Sequence, residues 1–166
     1  MIRKYTTILL VLLTSLLLAS CATAPRYAGN STDAQAVKKE SDGELGVRYL
    51  LGRGVPQNDQ LAFKYFLSAA KDDDAFAQNE VAYLYAAGKG TEQDFVKAFE
   101  YYQKAANHGL ASAQYNLGLL YATGKGVVAN QEQALHWFKV ASDHGFEPAK
   151  RALKKYAHNS ETAVIQ

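Results

Sequence analysis

The sequence predicts an all-α fold, a solenoid of stacked helix pairs, because one short motif recurs three times along the chain. Gly-X-Gly stands at 52–54, 88–90 and 124–126. The copies are 36 residues apart, and the residues around them align without any insertion. A constant period of about 20 to 50 residues is typical of repeat proteins, in which each unit buries its apolar face against its neighbours. The sequence therefore predicts three stacked helix-turn-helix units of 36 residues.

The first half of each unit is predicted to be a helix that ends at the Gly-X-Gly. In the second unit, Val81, Leu84 and Tyr85 are spaced so that they share one helical face. Gly88 follows, and glycine adopts the positive φ of a helix C-terminus without a Cβ clash. The Gly-X-Gly is therefore interpreted as a turn. A phosphate-binding loop would need a third glycine or a following Lys-Ser/Thr.

The second half of each unit is predicted to be another helix, which begins at one shared capping slot. That slot holds Asn58, Asp94 and Asn130. Asn and Asp are preferred N-cap residues because their side-chain oxygens accept hydrogen bonds from unpaired backbone N–H groups. A later aromatic slot holds Tyr65, Tyr101 and Trp137. We expect these rings to lie in the core between the units.

These signals divide the chain into segments. The three units are predicted at about 42–77, 78–113 and 114–149, followed by a C-terminal capping helix at 148–157. Together with the residues that lead into the first helix, the solenoid is predicted to span 33–157. Residues 158–166 are predicted to be a disordered tail, because chain ends without packing partners fray.

The amino terminus is predicted to be a targeting signal. Arg3 and Lys4 precede an apolar run at 8–18, which is typical of a secretory signal. The run is shorter than the about 20 apolar residues that a membrane-spanning helix needs. We therefore assign 1–20 to a signal peptide and 21–32, which is rich in small and polar residues, to a flexible tether.

The end of this signal, Leu-Ala-Ser-Cys at 18–21, resembles the lipobox of bacterial lipoproteins. The resemblance implies cleavage before Cys21 and lipidation of that residue, so that acyl chains would anchor the protein to a membrane. Ala22 stands where an aspartate would favour the inner membrane. The resemblance therefore implies an outer-membrane lipoprotein of the cell envelope, facing the periplasm. An ordinary signal peptide with a chance cysteine is the alternative.

The charge of the chain does not indicate a nucleic-acid partner. Of the 18 basic residues, Arg3 and Lys4 leave with the signal, so 16 remain beside 16 acidic ones. A nearly neutral chain lacks the basic excess that nucleic-acid binding requires. Cys21 is the single cysteine, so the chain has no intramolecular disulfide.

The third unit carries the residues of a known repeat. They are the segments 116–121, 124–127 and 134–138, together with Ala141. This pattern resembles the Sel1-like repeat, a relative of the tetratricopeptide repeat, over about residues 42–150. The resemblance implies a right-handed superhelix of helix pairs that binds other proteins or peptides. It also implies no enzymatic activity and no cofactor.

Partner binding is predicted on one face of the first helices, at positions that vary between the units. This stripe consists of Val47, Leu50, Asn79, Tyr83, Ala86, Tyr115, Leu119 and Ala122. Spacings of three, four and seven place residues on one helical face. On the concave side, where the resemblance places it, the stripe would form a mostly apolar groove that suits a helix or an extended peptide.

The predicted capping helix carries four basic residues beside its apolar face. They are Lys150, Arg151, Lys154 and Lys155. Repeat arrays need a polar outer face on their last helix, which is one interpretation of these charges. A patch that contacts anionic lipid or an acidic partner is the other.

Ser68 and Lys71 match Ser-X-X-Lys, the nucleophile motif of penicillin-interacting enzymes. No Lys-Thr-Gly follows, and the other units hold unrelated residues in the same slots. We therefore interpret this segment as the end of a repeat helix. Two alternatives to a scaffold stay open: an accessory enzyme or binding subunit acting on cell-wall peptides or β-lactams, and a surface factor that contacts host proteins.

Histidines and aspartates near the helix ends are predicted to be structural. His108 and His144 share one slot in successive units. Helices of successive units pack about 8–10 Å apart, whereas zinc requires its nitrogens near ~2 Å, so a shared metal is not expected. We expect both histidines to interact with helix C-terminal dipoles. The acidic run 72–74 lacks EF-hand spacing and is interpreted as a solvated turn, in which Asp73 replaces a glycine.

Overall fold

A computed structural model describes residues 40–163 of the chain, with side chains up to Ala157. Within this range the structure is all-α, as the sequence predicts. Its seven helices are α1 (Asp42–Leu51), α2 (Asp59–Ala70), α3 (Ala75–Ala87), α4 (Phe95–Asn107), α5 (Ala111–Thr123), α6 (Gln131–Asp143) and α7 (Glu147–Ala163). Each helix packs on the next one along the chain. The predicted signal peptide, the tether and Cys21 lie outside the described residues.

The predicted capping slots begin the second helix of each unit. Asn58 accepts a hydrogen bond from the amide of Leu61 at 2.9 Å, and Asn130 accepts one from the amide of Gln133 at 3.0 Å. Asp94 accepts two such bonds, from the amides of Val96 and Lys97. These bonds satisfy backbone N–H groups that a helix N-terminus otherwise leaves unpaired. The predicted helix starts are therefore confirmed.

The Gly-X-Gly turns have a second role that the period alone does not show. The first glycine of each turn ends a helix with a left-handed backbone, as at Gly88, where φ is 66°. The second glycine, Gly90, also has positive φ, and its Cα lies against the start of α2 in the preceding unit. A Cβ at Gly90 would overlap the carbonyl of Asp59. The turn therefore brings successive units into contact.

The acidic turn between α2 and α3 is partly structural. Asp73 has a φ of 58°, which confirms that it occupies a glycine position. Asp74 caps α3, because its side chain accepts a hydrogen bond from the amide of Ala77 at 3.1 Å. The three aspartates are exposed, but Asp74 thus starts a helix in addition to facing solvent.

The core uses the aromatic residue one position after the predicted slot. Phe66, Tyr102 and Phe138 are almost fully buried. The predicted core rings Tyr65, Tyr101 and Trp137 are only half-buried and pack against the core from its edge. One residue corresponds to about 100° around a helix, so adjacent aromatic positions cannot both face the same neighbour. Glycines make room for two of the buried rings: a Cβ at Gly46 or Gly118 would lie 2.7 Å from a phenylalanine ring.

The last helix is longer than the sequence predicts. We expected the capping helix to end at 157, but α7 continues to Ala163. No glycine or proline occurs at 158–163 to end a helix. The structure thus assigns helix to residues 158–163 of the predicted tail, while 164–166 lie outside the described residues. None of the helices within the described residues is both long and apolar enough to cross a membrane.

Candidate partner-binding groove

The predicted stripe lies on α1, α3 and α5, the first helices of the three units. Most of its residues are half-buried: Val47, Leu50, Ala86, Tyr115, Leu119 and Ala122. Two differ from the rest, because Tyr83 is 41% exposed and Asn79 is only 8% exposed. The stripe is therefore a mainly apolar surface that solvent still reaches, with one buried polar residue near its middle.

The same slots continue onto α7. A further shift of 36 residues carries Tyr115 to Arg151 and Leu119 to Lys155. These four residues line an open groove of about 230 Å³ between α5 and α7, together with Pro148, Ala152 and Tyr156. The structure thus joins the predicted stripe and the basic patch on one surface. We call the surface formed by the stripe and this α5–α7 groove the first-helix groove.

The other basic residues of the patch do not line the groove. Lys150 pairs with Glu147 at 3.4 Å on the surface of α7, and Lys154 is exposed beside it. Arg151 and Lys155 form no ion pair with a carboxylate in the part of the chain that the structure describes. The Lys155 ammonium lies 5.5 Å from the centroid of the Tyr156 ring. The groove therefore ends at two cations whose charge no carboxylate of the described side chains neutralises.

Tyr115 has a structural role as well as a surface. Its ring centroid lies 5.7 Å from that of Phe138 and 5.4 Å from that of Phe146. It is therefore held between its own unit and the segment that leads into α7. Tyr83, in contrast, lies on the exposed side of α3, with the Lys89 ammonium 5.8 Å from its ring centroid. Tyr83 is thus the better position for testing binding separately from folding.

Three slots of the middle unit hold a more polar residue than the same slots of its neighbours. Asn79 corresponds to Gly43 and Tyr115, Tyr83 to Val47 and Leu119, and Tyr102 to Phe66 and Phe138. With the adjacent Glu80, whose counterparts Glu44 and Asn116 are also polar, these residues form a cluster on α3 and α4 that we call the polar centre. The sequence pattern predicts Asn79 and Tyr83 as partner-binding residues but not Glu80 and Tyr102. The sequence signal for Tyr102 is its hydroxyl, because the other two units hold phenylalanine in the same slot.

The polar centre contains a hydrogen-bond acceptor without a partner among the described residues. Asn79 Nδ2 donates a hydrogen bond to Glu80 Oε1 at 2.9 Å, but the buried Asn79 Oδ1 has no partner within the described residues. Burial raises the pKa of Glu80, and the bond from Asn79 partly opposes that shift. Burial also raises the pKa of the Tyr102 hydroxyl, with smaller effects from Glu80 and Tyr83. The charged form of Glu80 is thus poorly solvated in the free protein.

His144 and His108 lie at helix ends, and His144 is part of a hydrogen-bonded link between units. Both residues are the C-caps of their helices. His144 Nδ1 lies 2.9 Å from Gln114 Oε1, and Gln114 Nε2 donates to the carbonyl of Ala106 at 3.1 Å. Gln78 makes the equivalent bond to the carbonyl of Ala70. Within residues 40–163 no three His, Cys, Asp or Glu side chains are grouped as metal ligands would be.

Ser68 and Lys71 lie on the surface at the end of α2. Both are exposed, and Lys71 is the C-cap of the helix. No hydrogen bond joins the Ser68 hydroxyl to the Lys71 ammonium in the described structure, and neither side chain lines the α5–α7 groove. The arrangement lacks the contact by which a base would activate a serine nucleophile.

Comparisons with known proteins agree with the helix-pair architecture. Three segments, 43–74, 75–110 and 111–146, each match the Sel1 repeat. No curated protein matches the sequence significantly. Among solved structures, a Sel1 repeat protein from Oxalobacter formigenes is 38% identical with a TM-score of 0.63, over 69% of this chain and 86% of that one.

Two further structures are similar. The first is c5321, a protective antigen of uropathogenic Escherichia coli strains with an SLR fold, which is 32% identical with a TM-score of 0.65 over 67% of this chain and 24% of its own. The second is Helicobacter pylori cysteine rich protein B, which is 33% identical with a TM-score of 0.55 over 58% of this chain and 74% of its own. Sel1 repeats generally mediate protein interactions. The matched segments and the helix pairs together show that this chain belongs to the Sel1 repeat family.

Proposed function

We propose that the protein is a non-catalytic scaffold that binds a partner protein or peptide in the first-helix groove. The main support is the apolar stripe, which carries tyrosines and remains accessible, and which continues into an open groove with two cations at its end. Aromatic side chains beside arginine are typical of the residues that dominate binding energy at protein interfaces. A groove of parallel first helices also suits an extended peptide or a single helix.

We further propose that the protein is an outer-membrane lipoprotein facing the periplasm, anchored through Cys21. The support is the Leu-Ala-Ser-Cys segment at 18–21 after an apolar run, with Cys21 as the single cysteine of the chain. Several acyl chains, at about 0.8 kcal/mol per buried CH₂, would hold it durably at a membrane. The scaffold would then recruit its partner to the envelope.

Site-specific crosslinking in living cells tests the binding proposal. A photoreactive residue replaces Tyr83, which is 41% exposed in the groove, and in a matched strain it replaces Val96, which is 55% exposed on α4. We expect a discrete crosslinked species from position 83 and none from position 96. The same products from both positions, or none from position 83, would contradict the proposal. Tyr83→Ala should weaken capture while changing the free energy of unfolding by less than about 0.5 kcal/mol.

Labelling with palmitate tests the anchor. The wild-type protein should incorporate label and Cys21→Ser should not. Equal labelling of both would show that Cys21 is not the lipidated residue. Protease treatment of intact and of permeabilised cells then distinguishes the two sides of the membrane, since a periplasmic protein is digested only after permeabilisation.

A further inference from the structure

The first-helix groove differs in charge between its middle and its C-terminal end. On α3, the polar centre holds the half-buried carboxylate of Glu80, which accepts a hydrogen bond from the buried side chain of Asn79. On α7, Arg151 and Lys155 line the groove. Neither end is neutralised by an ion pair between the described residues. Tyr83, Tyr115 and Leu119 separate the two ends with a largely apolar surface.

The α3 end of the groove contains a buried hydrogen-bond acceptor and a poorly solvated carboxylate. Asn79 is 8% exposed, and its Oδ1 is a buried acceptor without a partner in the described part of the chain. Such a group destabilises a fold unless a donor satisfies it. The neighbouring carboxylate of Glu80 has a raised pKa because burial removes water from it. The Glu80 carboxylate would be stabilised by a cation that donates several hydrogen bonds, such as an arginine guanidinium or a lysine ammonium. A partner reaches the buried Asn79 Oδ1 only if that side chain rotates outward on binding.

The α7 end of the groove favours an anionic group of the partner. Arg151 and Lys155 occupy the same slots as Asn79 and Tyr83, two units further along. A carboxylate placed between them would gain charge-assisted hydrogen bonds. Lys150 and Glu147 already neutralise each other outside the groove, so they do not offset this preference.

We propose that the groove binds an extended segment of a partner protein that carries a lysine or arginine at the polar centre and an acidic group at Arg151 and Lys155, with apolar residues between them. This inference rests on the proposed scaffold function and specifies the chemistry of its partner. The two ends lie on first helices two units apart, and with stacked units spaced by about one helix diameter, about 10 Å, the ends lie roughly 20 Å apart. An extended chain covers that distance in about six residues, at about 3.3 Å each.

A random dodecapeptide display library, selected on the purified full-length chain, tests the inference. Peptides that also bind the Tyr83→Ala variant are removed, so that only groove-dependent peptides remain. We expect these to share one basic and one acidic residue about six positions apart, with apolar residues between. Groove-dependent peptides without charge preference would overturn the inference and leave the proposed function intact. The absence of any groove-dependent peptide would contradict both.

Substitutions that reverse or remove a charge in the groove test which end of the peptide each groove residue contacts. Affinity of the best peptide for the double variant Arg151→Glu/Lys155→Glu should fall by about tenfold or more, and recover when the acidic residue of the peptide is changed to lysine. Lys154→Glu is the matched control, because it reverses an exposed charge on the same helix outside the groove, and it should change affinity less than about twofold. At the other end, Glu80→Gln should weaken only peptides that carry the basic residue. Equal losses with Lys154→Glu would show that net charge, and not the groove, attracts the peptide.

Discussion

Alanine at the second glycine of the turn should destabilise the protein much more in the second unit than in the first. Gly54 and Gly90 have nearly the same backbone, with φ of 72° and 68°. Their surroundings differ. A Cβ at Gly90 would overlap the Asp59 carbonyl and lie 2.9 Å from the Gln60 nitrogen, whereas the nearest atom to a Cβ at Gly54 is Arg48 Nη2, at 3.6 Å. Gly54 has no preceding unit to contact within the described residues.

The expected losses of stability follow from two causes, the positive φ and the steric overlap of the added Cβ. A side chain in the left-handed region costs roughly 1–2 kcal/mol, and this applies to Gly54→Ala and Gly90→Ala alike. Gly90→Ala must in addition displace the backbone at the start of α2, and overpacking of this kind typically costs about 1–3 kcal/mol. We therefore expect the free energy of unfolding to fall by about 1–2 kcal/mol in the first variant and by about 2–5 kcal/mol in the second.

Urea unfolding followed by circular dichroism measures both losses. Trp137 is the single tryptophan and lies in the third unit, so its fluorescence reports whether the units still unfold together. Gly109→Ala is a second control, because Gly109 has a φ of 84° but nothing within 4 Å of a Cβ. It should resemble Gly54→Ala. Equal losses at 54 and 90 would refute the reasoning, since positive φ would then be the sole requirement at the turn.

Two further predictions concern the polar centre. Burial raises the folded-state pKa of Glu80 above its ordinary value of 4.5, so the fold disfavours the carboxylate at neutral pH. Glu80→Gln should therefore raise Tm at pH 7, and calorimetry should show this gain disappearing as the pH falls below 4.5. A gain that persists at pH 4 would show that charge is not its cause. Tyr102→Phe should leave the free energy of unfolding unchanged or slightly higher, because no hydrogen bond to the hydroxyl is found among the described residues. A loss above about 1 kcal/mol in urea unfolding would contradict this reading.

The sequence predicted the features of the fold that depend on nearby residues. The period located the units, and the caps Asn58, Asp94 and Asn130 located helix starts, because a cap bonds to backbone only two or three residues away. The burial of Phe66 in place of Tyr65 could not be predicted from nearby residues. Both positions are aromatic, and packing against another helix decides which ring is buried. The end of α7 at Ala163 could not be predicted from a local signal, because no glycine or proline stands at 158–163.

The groove was predicted in part. Its apolar stripe followed from helical spacing, but Arg151 and Lys155 were treated as a separate patch because α7 was considered a cap and not a fourth first helix. Extending the 36-residue shift by one more unit would have joined them. The unpaired Oδ1 of Asn79 could not be predicted, because the hydrogen-bond partners of a buried amide depend on its three-dimensional surroundings.

The polar centre is better explained by binding than by folding. The slot of Tyr102 holds phenylalanine in the first and third units, and the slot of Asn79 holds glycine or tyrosine, so the fold itself needs neither the Tyr102 hydroxyl nor the Asn79 amide. The slot of Glu80 is polar in all three units, with Glu44 and Asn116 as its counterparts. Asn79 and Glu80 make the free protein less stable, one through an unpaired acceptor and the other through a poorly solvated carboxylate. Groups that lower stability without serving the fold are typical of binding sites. Glu80→Gln separates the two roles, because a purely structural residue would gain stability and keep partner affinity, whereas a binding residue gains stability and loses affinity for the basic end of the partner.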